Sequence, residues 1–231
     1  KAGDYHWLSP YSYCGGDPIN KVDLTGMDIY EFNSVGALVN IIKEPRYDLV
    51  RIKTSSGRIQ ERVFERGTIY GIKKVKFEGA PQSYYFKVKG VENSDNIYMM
   101  LATNTSAEWS LVRSKDKETG SIENYIGTSQ DSYQERTGAY VMRKVMNHEE
   151  NILERDIHSH PDNSMPSGFP EDNKPGVPEN GDIPLARIIQ ELYPYFDDFE
   201  LLRVKSLRIE RYNKDSRKND FINYLQEIYI N

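Results

Sequence analysis

Apolar positions along the chain fall into two alternating periods. Between about residues 28 and 89 short runs of β-branched and aromatic residues are separated by Gly and Ser turns, and 37–42, 47–53 and 83–89 read as strands. The period then lengthens, and Ile97, Met100 and Leu101 share one face of a short helix that Ser94 is placed to cap. Strand patterns return at 108–113 and 123–128, joined by a charged loop containing Gly120, and at 139–146 and 151–158, which read as a hairpin closing around 147–150. About 20 residues rich in Pro, Gly, Asn and Ser follow, and a structureless stretch of that length is usually functional or disordered. It ends at Asp182, where Ile183, Ala186, Ile189 and Leu192 trace a helical face. Strands at 200–204 and 207–212 and an amphipathic helix from about 219 to 230 complete the pattern. The expected fold class is α+β, a mixed sheet flanked by helices, without internal repeats.

Residues 1–28 differ in texture. Tyr5, Trp7, Tyr11 and Tyr13 are interleaved with Ser, Gly, Asp and Pro, with dense turn chemistry and no helical period, as in a linker or part of a β-structure. The sequence opens on Lys1 without a signal-peptide pattern, so it reads as the C-terminal part of a longer polypeptide. No stretch approaches the roughly 18 apolar residues of a membrane helix.

Composition narrows the chemistry. The net charge of −5 gives no general attraction for phosphate backbones, and no nucleic-acid partner is expected. Cys14 is the single cysteine, which excludes an internal disulfide framework and a cysteine-built zinc site. A metal site must then use His, Asp and Glu.

His158-Ser159-His160-Pro161 meets that requirement. On a strand, positions i and i+2 point to one face, so the two imidazoles converge while Ser159 points away and Pro161 ends the strand. A catalytic zinc commonly has three protein ligands and an open fourth place. Asp182 is the preferred third ligand, at a helix start that it also suits as N-cap, with Asp162, Glu171 and Asp172 as alternatives. Hydrolysis needs a carboxylate base outside the ligand set, and Glu108, ahead of a largely apolar strand, or Glu135 can provide it. His148 reads as solvated and the Tyr content as sheet packing.

His158-Ser159-His160-Pro161 with Asp182 downstream resembles the signature of the JAMM (JAB/MPN) metalloenzymes, which join an upstream Glu to H-x-H-P and a Ser-x-x-Asp. The resemblance implies a cytidine-deaminase-like α/β core and a Zn2+ held by His158, His160 and Asp182. It also implies Glu108 as base, in the family's order of helix, Glu-bearing strand and H-x-H. The family's Ser stands three residues before its Asp; here Glu179 occupies that place, and Ser167 is taken as the oxyanion hydroxyl with an insertion between. A second resemblance lies in 1–28, where Trp7 to Cys14, Asp17-Pro18-Ile19-Asn20 and Asp23-Leu24-Thr25-Gly26-Met27-Asp28 look like the end of an Rhs-repeat core, with Leu24 in place of the usual Pro.

Together the resemblances imply a bacterial polymorphic toxin. Residues 1–28 would be the Rhs-core remnant, 29–93 a β-rich linker or the first part of the toxin region, and 94–231 a JAB-like metallopeptidase. Its implied partners are a protein substrate in a target cell and a cognate immunity protein, and it would be a secreted or delivered effector. Two other classes stay open, a metal-dependent nuclease and a metal-free JAB-like binding module.

Overall fold

A computed structural model describes residues 27–44, 46–78, 82–131, 136–172 and 181–221. A four-stranded sheet is formed by β1 (Met27–Phe32), β2 (Leu38–Glu44), β3 (Asp48–Lys53) and β4 (Ile59–Phe64), in the order β2-β1-β3-β4 with β1 and β3 parallel. A seven-stranded sheet follows, from β5 (Ile69–Val75), β6 (Ser83–Val88), β7 (Ser110–Asp116), β8 (Ile122–Thr128), β9 (Asn151–His160), β10 (Phe199–Arg203) and β11 (Arg208–Tyr212). Its order is β11-β10-β9-β7-β8-β6-β5. The helices are α1 (Val91–Asn104), α2 (Thr137–Tyr140, continued by a π turn over Val141–Val145) and α3 (Asp182–Leu192). The fold is α+β, as expected.

Strand alternation sends the two faces of the large sheet into separate cores. On one face Leu111, Ile157 and Leu202 pack with Ile97 and Leu101 of α1 and with Phe32 and Ile52 of the small sheet. Trp109 is fully buried there; its indole N–H donates to Thr105 Oγ1 at 2.8 Å, and Phe32 meets its ring edge-on at 5.9 Å. On the other face Val112, Tyr125 and Leu201 pack with Met142 of α2 and with Ile183 and Ile189 of α3. Each large apolar side chain so buried contributes roughly 1.5–3 kcal/mol of transfer free energy.

The strand-like runs expected at 37–42, 47–53, 83–89, 123–128, 200–204 and 207–212 are strands within a residue or two. The segment 139–146 is a correction, because it is the helix α2 rather than a strand. Val141, Met142 and Val145 follow a helical spacing, and the helix can lie down on the sheet because β8 carries Gly127 beneath it. A Cβ on Gly127 would sit 2.5 Å from Thr137 Cγ2. There is accordingly no hairpin around 147–150; β9 pairs antiparallel with β7 and parallel with β10. Ser94 is a second correction. The helix begins three residues before it, at Val91, and the Ser94 hydroxyl donates back to Val91 O at 2.7 Å and accepts from Arg113 at 3.2 Å. The expected C-terminal helix starts at 218–221 and otherwise lies outside the described residues, as do residues 1–26 of the expected Rhs-core remnant. Among the described residues no helix is long and apolar enough to cross a membrane.

Candidate metal centre

Two parallel strands cannot be joined by a tight turn, so the chain must leave the C-terminal end of β9, cross over and return. The crossover here contains α3, and its N-terminus falls beside the C-terminal end of β9, the position where open sheets place their ligands. That end carries the His pair. β9 is an interior strand, with His158 opposite Ser110 on β7 and Leu201 on β10. Alternation puts Asp156, His158 and His160 on the face that α3 covers, while Ile157 and Ser159 face α1. Ser159 accepts a hydrogen bond from Trp109 N through Oγ at 2.9 Å and donates its own amide to Trp109 O at 2.9 Å. The neighbouring Glu108, just ahead of β7, is thereby fixed beside β9; its amide donates to Asp131 O at 2.8 Å and its carbonyl accepts from Thr128 Oγ1 at 2.7 Å.

The functional atoms converge. His158 Nε2 lies 3.2 Å from His160 Nε2 and 3.2 Å from Asp182 Oδ1, and His160 Nε2 lies 3.7 Å from Asp182 Oδ2. Glu108 Oε1 is 3.8 Å from His160 Nε2. One donor atom from each of His158, His160 and Asp182 fits within a 4.8 Å span. Ligands at zinc bond lengths of about 2.0–2.1 Å in a tetrahedron stand about 3.3 Å apart, so the donor set fits a zinc ion. The outer imidazole nitrogens are engaged elsewhere. His160 Nδ1 faces Ser164 O at 3.3 Å and Ser164 Oγ at 2.8 Å, and a carbonyl only accepts, so Nδ1 carries the proton and Nε2 presents its lone pair inward. His158 Nδ1 lies 3.5 Å from the Tyr212 hydroxyl.

Asp182 opens α3, and Gly181 ahead of it has φ +120°. The positive φ and the crowding both require glycine, since a Cβ there would lie 2.6 Å from Ser167 Oγ and 2.8 Å from Gly168 N. This close approach lets Ser167 donate to Asp182 Oδ2 from its amide at 2.7 Å and from its hydroxyl at 3.0 Å, leaving Oδ1 for His158.

The charges are strongly coupled. Burial opposes a charged His158, yet the Asp182 carboxylate, with Glu108 and Asp156 behind it, raises the imidazole to about 9. Burial and the charge on His158 lower His160. Burial disfavours ionised Asp182 too, but His158 and the Ser167 amide hold its carboxyl well below the ordinary range.

All four polar residues expected at the centre are thus together, and Ser167 is beside Asp182 although Glu179 and Glu135 lie outside the described residues. Of the alternative ligands, Asp172 pairs with Lys218 at 2.8 Å, while Asp162 lines the cleft and accepts from Ser164 N at 2.9 Å. Asp156, Ser164 and Tyr212 were not anticipated. Asp156 was legible as the next member of the same alternation, two residues before His158; Ser164 and Tyr212 carry no sequence signal. The cleft around the centre measures about 880 Å³ and also takes in Phe77, Tyr140, Arg143 and Lys144.

An α+β domain with two imidazoles and a carboxylate gathered at a crossover helix offers a donor set that could hold a metal ion. The family model described as JAB-like toxin 1 matches residues 86–187, less than half of the chain, running from β6 into α3 and containing Glu108, His158, His160, Ser167 and Asp182. The match supports a JAB-like toxin domain over that stretch. Searches of the curated proteins and of the solved structures found no match.

Proposed function

We propose that the chain is a zinc-dependent peptidase or isopeptidase toxin. The observation that carries this reading is the meeting of Glu108, His158, His160 and Asp182 from three separated segments in one cleft. His158, His160 and Asp182 would hold the ion, and a bound zinc supplies Lewis acidity that acidifies water and polarises an amide carbonyl. Glu108 stands outside the three ligands, buried and within reach of the same space, where its carboxylate takes the proton from the attacking water and passes it to the leaving nitrogen. Ser167 has its hydroxyl beside the centre and would steady an oxyanion by turning its proton from Asp182 Oδ2 toward the substrate, while its amide keeps hold of Asp182.

The Rhs-like run in 1–28 supports a delivered effector with a cognate immunity protein, in which 29–93 joins the core remnant to a JAB-like unit over 94–231. The test is metal analysis together with cleavage assays. Purified wild type should contain about one zinc per chain and hydrolyse protein substrates, and Glu108→Gln should retain the zinc but lose the hydrolysis. Metal-dependent cleavage of plasmid DNA or RNA that His158→Ala abolishes would transfer the site to a nuclease, and a wild type free of zinc would leave a binding module.

A further inference from the structure

The α2 side of the cleft differs chemically from the metal side. Around the centre the lining is acidic, with Glu108, Asp156, Asp162 and Asp182. Along α2 it is basic and aromatic. Arg136, Tyr140, Arg143 and Lys144 succeed one another at spacings of four, three and one, so they share one helical face, and all four line the cleft. The opposite face of α2, with Val141 and Met142, is buried on the sheet.

Two details set this face apart from an ordinary solvated helix. Arg136 is committed to the protein, donating from Nη1 to Glu78 O at 2.9 Å and from its amide to Ser129 Oγ at 2.9 Å. Arg143 and Lys144, by contrast, are exposed and, among the described residues, meet no carboxylate. They also sit in the π turn, closed by Met146 N donating to Val141 O at 2.9 Å, and such widened turns are frequent at functional sites. Next to them Tyr140 makes edge contact with Phe77 at 5.9 Å, giving an apolar floor beside the two cations.

The geometry points to a substrate-selecting subsite on α2, in which Arg143 and Lys144 bind an acidic side chain of the substrate polypeptide while its stem rests on Tyr140 and Phe77. This rests on the peptidase reading, which supplies the chain lying across the cleft. A guanidinium can hold a carboxylate in two parallel hydrogen bonds, and an ammonium adds a point charge. α2 packs over β8, two strands from β9, a separation of about 10 Å, so the acidic residue falls roughly three residues from the bond that is cut. A nucleic-acid backbone suits the cleft less well. It would carry negative charge along its whole length past four carboxylates, whereas a peptide need place only one anion, on the cationic wall.

The experiment has two arms. In the first, zinc-loaded wild type digests a mixed library of end-blocked peptides and the cut sites are read by mass spectrometry. Asp and Glu should be enriched about three residues from the scissile bond, and Arg143→Glu with Lys144→Glu should replace that preference with Lys and Arg. In the second, which needs no turnover, Glu108→Gln protein is titrated with a rhodamine-labelled peptide rich in Glu, its Gln counterpart and a single-stranded DNA oligonucleotide. The Glu peptide should bind about tenfold more tightly than the Gln peptide, and the double reversal should remove the difference, whereas Lys89→Glu on the exposed surface should leave it. A cut-site profile without acidic preference, together with equal binding of both peptides, overturns the subsite while leaving the peptidase reading intact. DNA bound more tightly than the Glu peptide through Arg143 and Lys144 overturns it in favour of a nucleic-acid ligand. Selective Glu-peptide binding in a protein that neither holds zinc nor cleaves keeps the subsite and ends the peptidase reading.

Discussion

Ser167 and Asp182, 15 positions apart, are joined by two hydrogen bonds onto a single carboxylate oxygen, at 2.7 Å from the amide and 3.0 Å from the hydroxyl. The other oxygen is thereby left to His158 at 3.2 Å. The orientation of the Asp182 carboxylate therefore depends on a residue well upstream of it, and on the glycine that lets the two backbones touch.

Gly181→Ala should disturb that arrangement without touching a ligand. The new methyl would lie 2.6 Å from Ser167 Oγ on a backbone with φ +120°, costing about 1–3 kcal/mol of strain. Zinc affinity, measured by competition with a chelator, should fall by about 10- to 100-fold. Unchanged affinity would mean that the carboxylate finds its place without Ser167.

Removing ligands and removing the base should have separable effects. His158→Ala, His160→Ala and Asp182→Asn are expected to abolish stoichiometric zinc, whereas Glu108→Gln keeps it and slows hydrolysis by about 10²–10⁴-fold. Loss of zinc in Glu108→Gln would move Glu108 into the ligand set.

Ser164 is expected to act on the centre through His160. Its carbonyl and hydroxyl hold Nδ1, and Ser164→Ala removes the closer contact, at 2.8 Å. Zinc should bind about tenfold more weakly, with turnover of the fully loaded enzyme little changed.

With His158 raised, metal uptake at the proposed centre would be a proton exchange. At pH 7.5, below its value of about 9, the imidazole is charged in the metal-free protein and must lose that proton to bind zinc. Calorimetry in buffers of different ionisation enthalpy should detect about one proton released near pH 7.5, and less above pH 9. The sign for stability is the reverse. The charged His158 stabilises the metal-free fold fully below its ordinary 6.5, and the contribution fades as pH rises through about 9. A proton count that does not change with pH would reject the coupling to Asp182.

Gly127→Ala tests the packing of α2. A methyl 2.5 Å from Thr137 Cγ2 should destabilise the fold by about 1–3 kcal/mol in denaturant melts.

Much of this architecture was legible because it rests on short-range rules. The alternation through His158 and His160 placed both rings on one face, and the period from Ile183 to Ile189 marked α3 with Asp182 at its start. Segment 139–146 misled because Val141, Met142 and Val145 suit either state, and the deciding contact, Gly127 under Thr137, comes from another strand. Ser167 could be placed near Asp182 only by resemblance, since the intervening insertion conceals the spacing. Tyr212 and Ser164 were illegible for a similar reason: they reach the His rings through a strand pairing and a loop turn, which no local pattern records.

The parallel pairing of β9 with β10 has a further consequence. Because Asp182 joins the two candidate imidazoles of β9 only when the crossover has closed, an unfolded chain lacks the complete donor set. If the centre binds zinc as proposed, the free energy of capture would be drawn into the folding equilibrium, and free zinc at a hundred times its dissociation constant would add about 2.7 kcal/mol to stability. On that reading the chain would be inert while extended, and the step that completes its fold would also complete its site.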